Sequence, residues 1–508
     1  MTLIGGKFPR RLAVLALAAL LAPAAALAGY EDLANEVQEI VLDNGLKILL
    51  LERHDVPVFS FMTYVDVGAV DEDMNKGGLA HVCEHMAFKG TEEVGTRDYR
   101  RERELLEDMD ALYAEMLAER LKGDLGDAER LSDLEAEFAE LQERADALVE
   151  PNEFSKLVEI NGGVGMNAAT STDATRYFYS LPSNQLEFWA AIESDRFINP
   201  VFRQFYKECN VISEERRQVV ESSPQGRLYE EWVTLAYKAH PYGQPIIGHR
   251  SEIEAYTRPD AEAFFRSRYG AQKIVVAVVG DVYRDELERV ARKYWGEVPP
   301  APEAEALRLV EPEQLGERRV VLEDPSQPVV IVGYHVPDAR HADTPAIDAL
   351  ADILGQGRSS RLYETLVKEE KSALFAMSFA GIPGDKYPNS LLVIGIPNSG
   401  VDPEDLEQAM LDQVDRVAAE GVTEAELAGY KNRARANFVR GLESNNGMAN
   451  QLCYAEKVLG GWRHLFERLD RIEAVTAADV QRVAGEYLTQ KNRTVGLLVT
   501  KPAAGQDS

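Results

Sequence analysis

Two of the chain's eight histidines stand four residues apart, in His81-Val-Cys-Glu84-His85. On a helix that spacing puts both imidazoles on one face, where they can reach a single ion. Two neutral imidazoles and a carboxylate suit zinc and leave a fourth position for water. Bound to zinc, water ionises near pH ~7, and an adjacent carboxylate can take its proton. Glu84 stands beside His85 for that task, and could then return the proton to a leaving amine. The sequence predicts one Zn²⁺ per chain and hydrolysis of a peptide bond. Cys83 lies two residues from each histidine, off their face, and reads as a packed thiol, not a ligand.

A third ligand must come from elsewhere. Glu208-Cys-Asn-Val-Ile-Ser-Glu-Glu215 reads as helix, with Glu208 and Glu215 on one face. Spacing leaves Glu214 and Glu221 open as alternatives. The remaining cysteines, Cys209 and Cys453, make only three in all, which is no disulfide framework. The competing function is a non-catalytic subunit that keeps a metal site for structure.

These residues need a scaffold. Val37 to Leu42 and Leu46 to Leu51 flank Asp43-Asn44-Gly45, a hairpin signal, and Val58 to Val67 is a third apolar strand. Gly77-Gly78 precedes a helix near Leu79 to Phe88, with Gly90 to close it. Residues 98–150 are dense in Glu, Arg, Leu and Ala. Leu131, Leu134, Phe138, Leu141, Ala145 and Leu148 form one stripe, and Leu106, Met109, Tyr113 and Met116 another, on either side of Gly123 to Gly126. That predicts an antiparallel helical hairpin inserted into the domain. Val298-Pro-Pro-Ala-Pro302 and the acidic stretch after it read as a linker.

The two sides of that linker repeat. Ile253-Glu-Ala-Tyr-Thr-Arg-Pro-Asp260 returns as Ile472-Glu-Ala-Val-Thr-Ala-Ala-Asp479, each followed by a helix and an apolar strand. The expected organisation is a leader at 1–28, a catalytic domain at 29–297, a linker at 298–317 and a homologous inactive domain at 318–500. The helix of His81 and His85 corresponds to Ala346 to Gly355, which carries no histidine.

Lys7, Arg10 and Arg11, an apolar run to Leu21 and Ala26-Leu27-Ala28 make residues 1–28 read as a secretory signal, cleaved after Ala28. No later segment is apolar enough to span a membrane. The leader holds three cations and no acid, so the net charge of −30 becomes −33 without it. That charge disfavours nucleic acid and anionic membrane surfaces as partners. A periplasmic location is expected, with secretion as the alternative.

His81-Val-Cys-Glu-His-Met-Ala-Phe-Lys-Gly-Thr91 resembles the active-site segment of the pitrilysin, insulysin and mitochondrial processing peptidase family. The resemblance covers the chain after the leader, apart from the insertion. It implies an α/β (α+β) fold of two homologous domains, each a mainly antiparallel sheet with helices on one face. It also implies Glu215 as the third zinc ligand and Glu208 as its support. The stretch Gly163 to Tyr177 resembles the family's edge strand, which binds substrate as an added β-strand. That assigns substrate contacts to Asn167, Ala168, Ala169 and Thr170. His240-Pro-Tyr242 also matches the family and reads as structural. The resemblance further implies chains that pair around a chamber, which limits substrates to peptides and unfolded segments. Family members place an Arg and, seven residues on, a Tyr in a later domain. Here those places hold Lys368 and Phe375. The expected partner is therefore a second two-domain chain that lacks HxxEH and supplies the missing pair, and otherwise a homodimer.

Overall fold

The computed structural model describes residues 33–302 and 307–501; the leader lies outside the described residues. Eleven strands are named: β1 Gln38–Val41, β2 Lys47–Glu52, β3 Val58–Val65, β4 Val164–Thr170, β5 Thr175–Pro182 and β6 Ile274–Gly280, then β7 Arg318–Asp324, β8 Val329–Val336, β9 Ala373–Ile382, β10 Asn389–Pro397 and β11 Arg493–Thr500. They form two sheets, ordered β1-β2-β6-β3-β5-β4 and β7-β11-β8-β10-β9. Within each, one pair is parallel, β2 with β6 and β7 with β11, and the other pairs are antiparallel. Leaving out β1, the two orders coincide strand for strand. The chain is thus an α/β protein of two like domains.

The repeat read from Ile253 and Ile472 is repeated in capping detail. Thr257 and Asp260 close a capping box on helix Arg258–Arg268, and Thr476 and Asp479 do the same for helix Ala477–Tyr487.

Helices of each half cover one face of its own sheet. The other face is covered by a helix from the opposite half. Helix Pro224–Ala236 lies on β7 and β11, and helix Asn445–Lys457 lies on β3 and β6. Ser223 and Ser444 cap them alike, accepting from Gly226 N at 3.1 Å and Gly447 N at 3.0 Å. Trp232 is fully buried, and its indole N–H donates to the Thr494 carbonyl at 3.0 Å. Gly333 makes that fit possible, since a Cβ there would lie 2.2 Å from the Trp232 ring. On the other side Met448, Leu452 and Cys453 pack against Met62, Val275 and Ala277. β6 is therefore buried on both faces, which explains its unbroken apolar sequence.

The inserted segment folds as helices Tyr99–Arg120 and Ala128–Asp146. Leu106, Met109, Tyr113 and Met116 are buried, as are Leu134, Phe138, Leu141 and Ala145. Tyr113 and Phe138 close on Tyr206 at ring distances of 4.1 and 5.2 Å. The hairpin thereby backs the helix Phe205–Arg216.

Candidate metal centre

Helix Leu79–Met86 carries His81, Glu84 and His85. Its start is fixed by Glu72, whose carboxylate accepts from Gly78 N and Ala80 N, each at 2.7 Å. A negative group at a helix N-terminus is favoured by the helix dipole. Burial pushes the Glu72 pKa well up, and these two N–H donors oppose that shift. Gly78 is left-handed, at φ +93°, and a Cβ there would meet the Ile247 carbonyl at 2.6 Å. Those constraints turn the apolar side of the helix to the core and the histidines to a cleft.

Helix Phe205–Arg216 crosses in front, bringing Glu208 and Glu215. Glu215 Oε1 lies 3.7 Å from His81 Nε2, and its Oε2 lies 3.6 Å from His85 Nε2. The three candidate donors all fall within 4.8 Å of one another. A tetrahedral zinc with bonds of ~2.0–2.1 Å needs ligand atoms about 3.3 Å apart. Two imidazoles and a half-exposed carboxylate at these separations fit that ion.

The neighbours tune each member. Burial, then the nearby His85, pushes His81 down to about 4, so its imidazole is neutral and free to ligate. Burial pulls His85 down, but its Nδ1 contact with Glu208 Oε1 at 2.9 Å and the charges of Glu208, Glu215 and Glu84 together outweigh that, and the net shift is upward. Glu208 moves the other way: burial raises it, while His85 and Lys89, whose ammonium sits 2.5 Å from Oε2, bring it below the usual range. This carboxylate–imidazole arrangement fixes which ring nitrogen of His85 faces the cleft. Burial raises the Glu84 pKa, and Thr170 Oγ1 donates to Glu84 Oε2 at 2.6 Å. An upward shift brings a carboxylate closer to the pH at which it works best as a base.

Glu214 and Glu221 point elsewhere. Glu214 pairs with Arg217 at 2.5 Å, and Glu221 sits 3.3 Å from Arg250. Between them the helix widens into a π turn over Arg217–Glu221, which re-aims the chain after Glu215. The three cysteines are free and buried, and the Cys83 thiol faces the Ala261 carbonyl, away from the histidines.

The stretch Gly163 to Tyr177 is two strands, not one. Ser171 turns the chain, accepting from Ala174 N at 3.1 Å, so β4 ends at Thr170 and β5 begins at Thr175. β4 is the last strand of its sheet and pairs only with β5. Ala168, Ala169 and Thr170 line a cleft of about 400 Å³ together with His81, Glu84 and Glu215. Asn167 is exposed and outside that lining, its amide oxygen accepting from Ala168 N at 2.9 Å. The rest of the cleft is largely apolar: Val219, Val220, Tyr229, Val233, Ile246 and Ile247. None of these announces itself in sequence, since apolar residues after a helix read first as core. The sequence marks the roles of Lys89 and Glu72 no better. The one signal for Glu72 is an acid shortly before Gly77-Gly78 and the helix. Tyr242 is buried and donates to Asp173 Oδ1 at 2.7 Å, a link that ties the cleft floor to the second half through Asp385 N. Lys368 pairs with Glu364 at 2.5 Å on the surface, and Phe375 is 44% exposed on the outer strand β9.

Two family descriptions match the chain: "Insulinase (Peptidase family M16)" at residues 47–109 and 147–250, and "Peptidase M16 inactive domain" at residues 255–434. The gap between the first two segments falls within the helical hairpin. A zinc protease of Helicobacter pylori, PqqE, is 27% identical over 91% of this chain and 92% of its own length. A crystal structure of a protease from Helicobacter pylori superimposes with a TM-score of 0.76 at 25% identity, over 92% of this chain and 99% of that one. The periplasmic protease PqqL from Escherichia coli shares the fold at a TM-score of 0.67 and 16% identity, with 91% of this chain covering 47% of PqqL.

Proposed function

This chain belongs to the insulinase peptidase family, M16, and from that premise we propose that it is a catalytically active zinc endopeptidase or oligopeptidase. The observation that carries the reading is the meeting of His81, His85 and Glu215 in one cleft with Glu84 and a free strand edge. His81, His85 and Glu215 hold one Zn²⁺, and Glu208 orients His85 from behind. Zinc, when bound, supplies a Lewis acid for the water and the scissile carbonyl. Glu84, held by Thr170, takes a proton from the attacking water and passes it to the amine that leaves. β4 offers unpaired N–H and C=O groups, and an extended peptide adds to it as a further strand. Ala168 to Thr170 set that peptide against Glu84, with Asn167 at its outer end. Cleavage belongs to residues 29–297, and residues 318–500 form the inactive counterpart across the linker.

We further infer a periplasmic protein, consistent with the leader-like residues 1–28 and with a fold shared with a periplasmic protease. Among the described residues no helix is long and apolar enough to cross a membrane. A chain that covers about half of PqqL fits an assembly of two such chains around a chamber. Lys lacks the planar fork of Arg, and Phe lacks the hydroxyl of Tyr. Lys368 and Phe375 therefore favour a partner of the same family that lacks HxxEH, over a homodimer.

The test uses purified protein, its zinc measured by elemental analysis, and a quenched peptide library read by mass spectrometry. The chain is assayed alone and with related zinc-less proteins of the same cell. Cleavage that needs both zinc and such a partner is expected. Full activity of the homodimer would remove the partner. Intact peptides in every arm, with zinc bound, would leave only the structural-subunit alternative.

A further inference from the structure

The second half has a cavity of its own, about 220 Å³, walled by helices Thr344–Gly355 and His464–Ala474 and by the end of β9. It borders the counterpart of the metal cleft but is not that counterpart, because helix Glu424–Glu443, which answers to the carrier of Glu215, is not among its walls. Helix Thr344–Gly355 answers to the helix of His81 and His85, and Ile472 to Ile253. No set of metal-binding side chains forms there among the described residues. The walls instead carry two acids, Asp348 and Asp385, and two guanidinium groups, Arg468 and Arg471.

Opposite charges around one small cavity would ordinarily pair. These do not. Among the described residues neither Asp348 nor Arg468 has an ion-pair or hydrogen-bond partner. Arg471 donates only to the His341 carbonyl, at 3.1 Å, and Asp385 accepts from Tyr454 Oη at 2.9 Å and from nothing cationic. Both acids bear the cost of burial, which raises Asp348 and pushes Asp385 up to about 6. Asp348, Asp385 and Arg471 are half-buried and Arg468 is exposed, so all four charges stand where a ligand or water reaches them. Between the charges the wall is apolar, with Val336, Ile347 and Ile472.

We propose that this cavity binds a small zwitterion, an α-amino acid with an apolar side chain, presented free or within a dipeptide. Its ammonium group meets Asp348 and Asp385, its carboxylate meets Arg468 and Arg471, and its side chain lies on the apolar wall. The volume suits one residue, being below the ~300–1,000 Å³ of sites for larger ligands. Bidentate pairing of guanidinium with carboxylate supplies the direction. The site does not depend on catalysis, so failure of the peptidase reading would leave it standing.

The test is calorimetric titration of zinc-loaded Glu84→Gln protein with L-leucine, leucinamide, N-acetyl-leucine and the dipeptide Leu-Leu. L-leucine should bind in the millimolar range or tighter, and the two derivatives that each lack one charge should bind at least tenfold more weakly. Asp348→Asn and Arg468→Gln should each weaken L-leucine at least tenfold with zinc content unchanged. Leu-Leu binding tighter than L-leucine, and lost in the same variants, identifies peptide fragments as the source. Weaker Leu-Leu binding identifies the free amino acid. If a variant does not fold, the comparison of the four ligands on the parent protein still decides. No heat from any of them at 10 mM, equal binding of the capped forms, or binding that survives both substitutions would overturn the proposal.

Discussion

In the first half, two crossing helices bring two imidazoles and two carboxylates together and leave them open to a cleft. In the second half, the equivalent helices close on each other. Gly90 and Gly357, both left-handed, mark corresponding turns. Counting back from them sets Asp352 at the level of His85 and Asp348 at that of His81. Asp352 takes a bidentate contact from Arg433, on the helix Glu424–Glu443 that corresponds to the carrier of Glu215. A carboxylate–guanidinium bridge thus stitches the second pair of helices, where the first pair presents two imidazoles and a carboxylate to the cleft. The fold tolerates either solution. Side chains that satisfy each other are structure. Those left with open valences, such as Glu215 at 40% side-chain exposure, await something else.

The comparison breaks most decisively at Glu84. Glu84→Gln keeps all three ligand atoms, so zinc content should hold while turnover falls by about three orders of magnitude or more. Near-normal cleavage by a zinc-loaded variant would mean that the base lies elsewhere. Next comes the third ligand. Glu215→Gln should cost at least about tenfold in zinc affinity, measured against a competing chelator, whereas Glu214→Gln, whose acid pairs with Arg217, should leave it unchanged. Equal affinities would place the carboxylate ligand wrongly.

The remaining two effects are on stability. Trp232→Ala removes a fully buried ring that belongs to one half and packs in the other, and should cost about 3–5 kcal/mol in denaturant unfolding. Hydrogen exchange should then rise in β8 and β11 as well as in the helix Pro224–Ala236. Protection unchanged in those strands would show that the halves are independent. Asp352→Asn should cost only about 1–2 kcal/mol, because Arg433 keeps a hydrogen-bond acceptor but loses its counter-charge. It should leave zinc binding untouched, and any loss of zinc would show that the second half shapes the first half's site.

The histidine pair, its helix and the repeat were legible because each is local. HxxEH needs only a helical period, and the Ile253 and Ile472 segments repeat within eight residues. The hairpin was legible for the same reason, as its stripes are spaced by threes and fours. That Glu215 faces the histidines while Glu214 and Glu221 turn away was not, since it depends on which way each side chain leaves a helix that widens into a π turn. Nor was the end of β4, set by a single serine hydroxyl at Ser171. The exchange of helices was the least visible. Trp232 and Cys453 read as core residues, but nothing near them in sequence says whose core.

That exchange also orders the chain's assembly in time. The first sheet is complete once β6 has been made, at Gly280. Its outer face, with Val275, Ala277 and Val279, finds its cover only in the helix Asn445–Lys457. Every strand of the second sheet but β11 is synthesised in between. At ribosomal rates of ~5–20 residues per second, the bare face persists for on the order of ten seconds or more. The first half cannot finish folding as it emerges, and a chain truncated before residue 445 should be a client of chaperones or an aggregate. The half that holds His81, His85 and Glu215 is thus the first to be made, yet it is sealed only by a helix of the other half.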